Sequence, residues 1–406
     1  MNRVKSGDLR TPSYATTLLC WTCRRAYEAE KTRLLCDCGA PLEQQYDIDR
    51  MVKDGHGGKD FVAEGPGIWR YARLLPAQGA PVTMQEGQTP VIPLAETGRR
   101  LGIRLYVKDE GRNPTGTFKA RGASVGVTRL RELGWTSLAM PTVGSGGSAW
   151  AAYAARAGLR MRVGLPVTPA PPRIGLVEPP IYGARTTQHD GRTEDAFAAF
   201  RASLSEEDAF LGGLREPYRV EGEKTVMFEI AEQFDSRLPD FVIWPTGGAP
   251  GLIGLAKAYE ELSRCGAVPA DAPPTIVSAQ HASAAPIAVA LRDGASTVVP
   301  GKVEGIAPGV WVGNPFAAPY ILERMRATVR VDGGTGTDAE IRSWLSDVGR
   351  HEGLLLSPEG ALTLAALEQL RRGGRIPSGA TVVCVNTATG LRYPHLLEQG
   401  PPPPPI

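Results

Sequence analysis

One lysine stands in the densest motif of the chain, directly after a turn. The segment reads Asn113-Pro-Thr-Gly-Thr-Phe-Lys119, and its Pro114 and Gly116 predict a turn from which Lys119 opens a helix. An amine at a helix N-terminus, beside an aromatic ring and away from water, has its charged form disfavoured. Such an amine can form a Schiff base with an aldehyde, so Lys119 is the candidate catalytic residue and Phe118 its aromatic neighbour. A solvated lysine at a helix start is the alternative for this motif taken alone.

A glycine-rich segment follows a strand-like run later in the chain. Residues 241–246 predict a strand, and Thr246-Gly-Gly-Ala-Pro-Gly251 leads from it into a predicted helix at 252–264. Glycines at such a junction let backbone N–H groups approach a phosphate at the helix N-terminus. A plain tight turn is the alternative for a lone glycine loop. The candidate phosphate-binding residues are Thr246, Gly247, Gly248, Ala249, Pro250 and Gly251.

Two further polar positions complete a candidate pocket. Thr142-Val-Gly-Ser-Gly-Gly-Ser148 predicts a loop at 144–147 before an alanine-rich helix at 148–157, suited to a substrate carboxylate or a phenolate oxygen. The hydroxyl of Thr387 follows the last apolar strand, at the edge where open α/β sheets bind ligands. A reactive lysine, a phosphate loop, a carboxylate loop and a hydroxyl together predict a pocket for pyridoxal 5′-phosphate. The candidate substrate-binding residues are Thr142, Gly144, Ser145 and Gly146, and Ser145 is also a candidate cofactor contact.

Four of the six cysteines lie close together near the N-terminus. Cys20 and Cys23 form a C-x₂-C pair, and Cys36 and Cys38 form a C-x-C pair after a gap of twelve residues. Four thiolates around Zn²⁺ would stabilise a segment too short to hold its own core. We therefore predict a structural zinc site, with four unligated reduced cysteines as the alternative.

Composition and charge exclude several classes of protein. The 406 residues are 42% hydrophobic and 22% charged, which excludes a disordered or collagen-like chain. A net charge of +2 lacks the basic excess typical of nucleic-acid-binding domains. No run of about 18 apolar residues predicts a membrane span, and residues 1–17 lack the apolar core of a secretory signal. We expect a cytoplasmic protein of two or three domains that acts on a small molecule.

Strand-like and helix-like segments alternate along most of the chain and would position these residues. Strands are predicted at 105–108, 137–143, 161–167, 241–246, 275–279 and 381–387, and helices at 120–133, 148–157 and 252–264. Apolar strands alternating with helices indicate parallel sheets covered on both faces. The predicted fold class is α/β, preceded by a small cysteine module and followed by a proline-rich tail of polyproline II type.

Six segments together resemble the threonine synthase family of fold type II, tryptophan-synthase-β-like pyridoxal phosphate enzymes. They are residues 86–90, 113–122, 216–225, 246–254, 357–360 and 386–391. The cysteine module is similar to the zinc-ribbon-like segment at the N-terminus of many members of that family. The resemblance implies two open, twisted, mostly parallel sheets flanked by helices, and a homodimer.

The resemblance also implies roles for the candidate residues. Lys119 would carry the cofactor and move a proton, the 247–251 backbone would hold the cofactor phosphate, and Thr387 would face the pyridine nitrogen. Ser145 stands where the family usually has an asparagine, and Ala249-Pro250 where a Gly-Thr pair is common. The predicted domains are a cysteine module at 1–50, a large cofactor-binding domain at 51–120 and 215–395, a small α/β domain at 121–214 and a tail at 396–406.

The predicted activity is that of a pyridoxal-phosphate-dependent lyase. It would eliminate a leaving group, phosphate in the lead hypothesis, from an activated amino acid and add water or another nucleophile. The alternatives are a β-replacement enzyme acting on O-phosphoserine or a related amino acid, a threonine-dehydratase-like enzyme, and a catalytically silent homologue that binds an amino acid or the cofactor. Arg219 and Lys224 could meet a substrate phosphate, with a solvated charge run as the alternative.

Overall fold

The described part of the chain alternates strands and helices. The computed structural model describes residues 12–30, 33–168, 173–190 and 193–397. The strands are β1 (Ala15–Cys20), β2 (Ala26–Glu28), β3 (Leu42–Tyr46), β4 (Val91–Pro93), β5 (Arg104–Asp109), β6 (Ser137–Pro141), β7 (Arg160–Pro166), β8 (Arg185–His189), β9 (Asp208–Phe210), β10 (Phe241–Pro245), β11 (Thr275–His281), β12 (Arg330–Gly336) and β13 (Thr381–Asn386). The helices are α1 (Ile48–Lys53), α2 (Ala95–Leu101), α3 (Lys119–Glu132), α4 (Ser145–Ala157), α5 (Arg173–Ile181), α6 (Thr193–Ala202), α7 (Tyr218–Glu223), α8 (Thr225–Gln233), α9 (Pro250–Arg264), α10 (Pro286–Asp293), α11 (Ala318–Thr328), α12 (Asp338–Glu352), α13 (Pro358–Arg372) and α14 (Pro394–Leu397).

The strands of the described residues form three sheets. β1, β2 and β3 form an antiparallel sheet in the order β2-β1-β3. The largest sheet has the order β12-β11-β10-β13-β5-β4 and is parallel except for β4, which runs antiparallel to β5. The third sheet, in the order β8-β7-β6-β9, is parallel. These mostly parallel sheets with intervening helices confirm the predicted α/β class.

Helices cover both faces of the largest sheet. Along β10, Val242 and Trp244 point into a core built with α8, α9 and α11, whereas Ile243 points into a second core built with α12 and α13. This follows from the period of two along a strand, which sends successive side chains to opposite faces. A strand buried on both faces needs a continuous run of apolar residues, which β10 shows along its whole length and β13 shows from Val382 to Val385.

The carboxyl ends of β10 and β13 lie side by side. Val242 is opposite Val383 and Ile243 is opposite Cys384 in a parallel register. The segments that follow the two strands, 246–249 and 387–389, therefore emerge at the same edge of the sheet. In open α/β sheets this edge is where ligands bind.

Most predicted elements are present with slightly shifted ends, but the predicted loop at 144–147 is wrong. α4 begins at Ser145 with Gly144 as its N-cap, so most of the predicted loop forms the first helical turn. The glycines suggested a loop because glycine disfavours a helix interior. They are needed here for packing, since a Cβ on Gly147 would come within 2.8 Å of the Thr142 side chain.

The described residues end just after the start of the predicted C-terminal tail. The proline-rich tail lies outside them from residue 398 onward, and residues 396–397 belong to α14 instead. None of the described helices is long and apolar enough to cross a bilayer. The domain boundaries remain a prediction.

A buried group of charged side chains fastens the N-terminal sheet to the helices of the largest sheet. Glu43 of β3 accepts hydrogen bonds from Tyr320 at 3.0 Å and from Arg324 at 3.1 and 3.0 Å, both on α11. Lys257 of α9 lies 3.6 Å from the same carboxylate. Burial alone would raise the pKa of Glu43, but Lys257 and Arg324 outweigh it and lower the pKa to about 2. Removing one partner would weaken the compensation of the buried charges that remain, although Glu261 still pairs with Lys257 and Glu260 with Arg324.

Candidate active site

Lys119 begins α3 beside a cleft at the ligand-binding edge of the largest sheet. The predicted turn before it is a 3₁₀ turn at Pro114–Gly116, in which Thr115 has a left-handed φ of 64°. The N–H of Phe118 donates to the carbonyl of Thr387 at 3.0 Å and ties the turn to the end of β13. The position of Lys119 is therefore set by α3, which it begins, and by the preceding turn, which is bonded to the end of β13.

The Lys119 amine lies in surroundings that favour its neutral form. Its Nζ is 4.1 Å from the centroid of the Phe118 ring and 3.6 Å from a carboxylate oxygen of Glu223. Burial lowers the pKa of Lys119 below its ordinary value, Glu223 opposes this shift, and the nearby Arg219 adds to it. A neutral amine is the nucleophilic form that Schiff-base formation requires.

The segment between β10 and α9 offers backbone donors without partners. The N–H groups of Gly247, Gly248 and Ala249 donate to no acceptor among the residues the structure describes. They directly precede Pro250, the first residue of α9, where the helix dipole favours an anion. A Cβ on Gly248 would have no neighbour closer than 3.8 Å, so the space in front of these donors is open. The segment fits a phosphate group.

The shape of this segment explains three of its residues. Ala249 adopts a left-handed φ of 66°, a conformation that costs a residue with a Cβ about 1 kcal/mol or more. Gly251 lies so close to Trp244 that a Cβ there would come within 2.2 Å of the indole. Thr246 is buried, and its hydroxyl donates to the carbonyl of Trp244 at 3.1 Å. The Thr246 hydroxyl thus points into its own strand and away from the cleft.

The cleft gathers most of the predicted residues from distant parts of the chain. The space in and in front of the cleft, including part of the open solvent, is about 520 Å³. Predicted residues in its lining are Phe118, Lys119, Ser145, Gly247, Gly248, Ala249, Pro250, Gly251 and Thr387. Predicted residues outside the lining are Thr142, Gly144, Gly146 and Thr246.

The start of α4 forms the opposite wall of the cleft. The Thr142 hydroxyl accepts a hydrogen bond from the N–H of Gly144 at 3.1 Å and so shapes the turn into the helix. The N–H groups of Ser145 and Gly146 donate to no acceptor within the described ranges. They lie in the first turn of α4, where N–H groups and the helix dipole favour a carboxylate.

Two cleft residues carry no local signal that sequence reasoning could use. Glu359, near the start of α13, and Tyr393, just after a 3₁₀ turn at Gly390–Arg392, both line the cleft and are buried. Burial raises the pKa of Tyr393 well above its usual range, and Glu359 adds to the rise. Glu359 belongs to the 357–360 segment of the family resemblance, which was the one pointer to it.

Comparison with known proteins identifies the family. A family model described as pyridoxal-phosphate dependent enzyme matches residues 82–388. A threonine synthase of Methanosarcina acetivorans is 35% identical over 385 residues, covering 93% of this chain and 92% of that protein. One of Methanocaldococcus jannaschii is 34% identical over 383 residues, covering 92% of both. The chain belongs to the threonine synthase family. It is a pyridoxal-phosphate-dependent lyase that resembles threonine synthase, as predicted, and these relatives do not favour the alternatives.

Solved structures share the fold with this member of the threonine synthase family. Maize serine racemase superposes with a TM-score of 0.64 at 19% identity, covering 77% of this chain and 92% of that one. A threonine deaminase from Solanum lycopersicum gives 0.63 at 19% identity, covering 76% and 81%. At this identity the likeness shows the fold alone, which is that of fold type II pyridoxal phosphate enzymes.

Two basic residues, Arg219 and Lys224, are predicted from the sequence to be able to contact a substrate phosphate, and of the two only Arg219 has a nitrogen without a hydrogen-bond partner in the described chain. Lys224 is fully buried and donates to Glu221 at 2.5 Å and to Glu261 at 2.9 Å, so it is neither solvated nor free. Arg219 is 6% exposed and bonds the Glu216 carboxylate through Nε, but its Nη2 has no hydrogen-bond partner in the described chain.

The four clustered cysteines form one compact group in the N-terminal sheet. The Sγ atoms of Cys20 and Cys38 are 3.6 Å apart, those of Cys23 and Cys36 are 3.4 Å apart, and all four lie within 4.8 Å of one another. Thiolates bound tetrahedrally at about 2.3 Å from zinc are roughly 3.8 Å apart. The sulfur positions therefore fit a single zinc ion.

An ion pair joins the two sides of the cleft. Glu178 of α5 accepts two hydrogen bonds from the guanidinium of Arg392, at 2.6 and 3.0 Å. Arg392 also donates to the carbonyl of Thr115 at 2.8 Å, in the turn before Lys119. The third sheet and the cofactor-side turn are thus linked through one arginine.

Proposed function

We propose that this member of the threonine synthase family eliminates phosphate from O-phosphohomoserine and adds water to form threonine. One observation carries the proposal: a half-buried Lys119 amine, whose charged form is disfavoured, shares a cleft with three N–H groups at a helix N-terminus that have no partner among the described residues. An aldehyde-reactive amine and a phosphate site in one cleft match the two ends of pyridoxal phosphate. The substrate itself comes from the names of the relatives.

We assign the cofactor-binding and proton-transfer roles to residues of the cleft. Pyridoxal phosphate, when bound, supplies an electron sink for the substrate Cα. Lys119 would bind the cofactor, and its released amine would take the Cα proton and return it at a later atom. The Glu223 carboxylate, 3.6 Å from that amine, would steady it when it carries the proton. The N–H groups of 247–249 would hold the cofactor phosphate, and Thr387 would face the ring nitrogen.

We assign substrate binding to the wall opposite the sheet. The free N–H groups of Ser145 and Gly146 would hold the amino-acid carboxylate at the start of α4. Arg219 contributes to the lowered pKa of Lys119, which indicates that its charge is felt at the reacting amine. Its unpartnered Nη2 would bond the substrate phosphate.

We further propose that the cysteine group holds a structural zinc ion, that the chain acts as a homodimer, and that it works in the cytoplasm. The sulfur geometry supports the zinc site. Thiolates that ligate a metal persist in a reducing compartment, which supports the cytoplasm.

The test supplies O-phosphohomoserine, O-phosphoserine and threonine in parallel and follows phosphate, keto acid and threonine. We expect phosphate and threonine from O-phosphohomoserine, because elimination and water addition both occur in the one cleft. Lys119→Ala should lower this rate about a thousandfold, the scale of a lost proton-transfer group. It should also abolish the adduct that borohydride traps between the protein and pyridoxal phosphate.

The matched control is Lys302→Ala, which removes a lysine whose side chain is 86% exposed and should change neither result. Phosphate release from O-phosphoserine alone, or keto acid from threonine alone, would overturn the assigned substrate. An unchanged borohydride adduct in Lys119→Ala would overturn the role of Lys119.

A further inference from the structure

Glu359 is a buried carboxyl group on the sheet side of the cleft with one oxygen left free. It occupies the second position of α13, after the N-cap Ser357, and the residue is 3% exposed. One oxygen accepts a hydrogen bond from the N–H of Gly309 at 2.7 Å. The other oxygen is buried and makes no hydrogen bond of normal geometry in the described chain, although the side chains of Tyr393 and Ser357 lie close enough to lower the pKa of this carboxyl group. Because a buried oxygen without a partner lowers the stability of the fold, we expect a ligand to bond it.

No lysine or arginine is among the main groups that shift the pKa of this carboxyl group. Besides burial, the largest influences are hydrogen bonds from the backbone at Gly309 and Glu359 and from the side chains of Tyr393 and Ser357. Burial therefore prevails and raises the pKa of Glu359 above its usual value, which favours the protonated form. Glu359 thus differs from Glu43, whose carboxylate is held by two cations.

The surroundings of Glu359 show which part of a ligand it would meet. Gly309, its partner, also touches the phosphate segment, since a Cβ on Gly247 would lie 2.9 Å from the carbonyl of Gly309. Thr387, assigned to the ring nitrogen, lines the same cleft. Glu359 therefore lies on the sheet side, with the elements assigned to the cofactor rather than with the wall assigned to the substrate.

We propose that Glu359 is an additional cofactor-binding residue whose free oxygen bonds the pyridine nitrogen beside Thr387. The inference rests on the proposed function, because it takes pyridoxal phosphate as the ligand. The proton in this hydrogen bond is the one that the carboxyl group carries, and it is shared between the oxygen and the nitrogen. No other proton donor is needed. The ring would then be a stronger electron sink than the Thr387 hydroxyl alone allows.

The experiment compares pyridoxal phosphate with its deaza analogue, in which carbon replaces the ring nitrogen. Apo-protein is titrated with each compound and the two dissociation constants are compared. We expect the wild-type protein to prefer pyridoxal phosphate by about tenfold or more, the scale of a hydrogen bond to a charged partner. Glu359→Leu should lose most of this preference. Glu368→Gln, in the same helix but bonded to Trp344 and Arg372, is the control and should keep it.

A second measurement protects the test against a Glu359→Leu variant that does not fold. Glu359→Gln nearly preserves the shape of the side chain but cannot transfer a proton. With cofactor labelled with nitrogen-15 at the ring, we expect the nitrogen signal to move toward its unprotonated position in Glu359→Gln but not in the control Glu368→Gln. A wild-type nitrogen signal in Glu359→Gln, or a wild-type preference in Glu359→Leu, would overturn the inference. A protein that forms no borohydride-stable adduct with pyridoxal phosphate would instead overturn the proposed function.

Discussion

Arg219 has a buried guanidinium nitrogen without a hydrogen-bond partner among the described residues, and this suits it to bind a ligand. Arg219 could use both faces of its fork on Glu216, yet only Nε bonds that carboxylate, and Nη2 is buried without an acceptor among the described residues. Its Cζ lies 5.2 Å from the Trp150 ring, which fixes the plane of the guanidinium. An arginine held so rigidly is suited to a phosphate, because the planar fork matches the oxygens of that group.

We predict that Arg219→Lys weakens binding of the phosphorylated substrate. A lysine keeps the charge but loses the fork, so the KM for O-phosphohomoserine should rise about tenfold while cofactor binding stays unchanged. Steady-state kinetics and cofactor titration measure the two quantities. Arg160→Lys, at an arginine of β7 whose side chain is 65% exposed, is the control. An unchanged KM would remove Arg219 from the substrate site.

Local signals explain which residues the sequence could predict. Lys119 follows a Pro-Gly turn, the 247–251 segment joins a strand to a helix, and Thr387 ends an apolar strand, so each is marked by its immediate neighbours. Glu223 and Glu359 have no such mark. Glu223 approaches the Lys119 amine and Glu359 lines the cleft only because α7 and α13 pack where they do. The sequence does not reveal that a buried carboxyl oxygen lacks a partner.

Among the elements, α4 shows how tertiary packing overrides helix propensity. Three glycines near its start predict a loop, and a helix begins there instead. The same glycines let the helix approach the third sheet closely, and they leave N–H groups open toward the cleft. The sequence therefore assigned this segment the wrong conformation, and its role in binding a ligand remains a prediction.

The N-terminal sheet should depend on zinc. We predict one zinc ion per chain and a fall in Tm of roughly 5 °C after chelation, because the metal organises a segment with little core of its own. Elemental analysis and thermal unfolding measure these effects. Cys23→Ser and Cys38→Ser, both at exposed cysteines, should remove the metal, whereas Cys265→Ala should retain it. Full stability with no zinc in freshly purified protein would contradict the site.

For the molecule as a whole, the Glu43 carboxylate makes stability depend on pH. Its pKa falls from an ordinary value of 4.5 to about 2 in the folded chain, because Lys257 and Arg324 outweigh the effect of burial. A depressed pKa stabilises the folded state above the unfolded value, and that stabilisation is lost as the pH falls through the folded value. We therefore predict that the free energy of unfolding falls by about 3 kcal/mol as the pH is lowered from about 4.5 to about 2.

Denaturant unfolding across this pH range tests the prediction. Glu43→Gln should be less stable at neutral pH, since Lys257 and Arg324 each lose one of their carboxylate partners, and should lack this part of the acid dependence. Glu207→Gln, at a side chain 77% exposed, should follow the wild-type curve. If Glu43→Gln kept the full acid dependence, the effect would belong to other carboxylates.

The N-terminal sheet is attached to the rest of the enzyme by two devices that do not rely on each other. The thiols organise the turns between its strands, while Glu43 and its cations dock the sheet onto the body. A relative could exchange all four cysteines and still keep the sheet in place, provided the carboxylate and both cations were inherited together. Losing the carboxylate alone would take one partner from each of two buried cations, which Glu261 and Glu260 would still pair. Any metal held by the four thiols could therefore be lost in evolution without detaching the sheet, because the Glu43 contacts to α9 and α11 would remain.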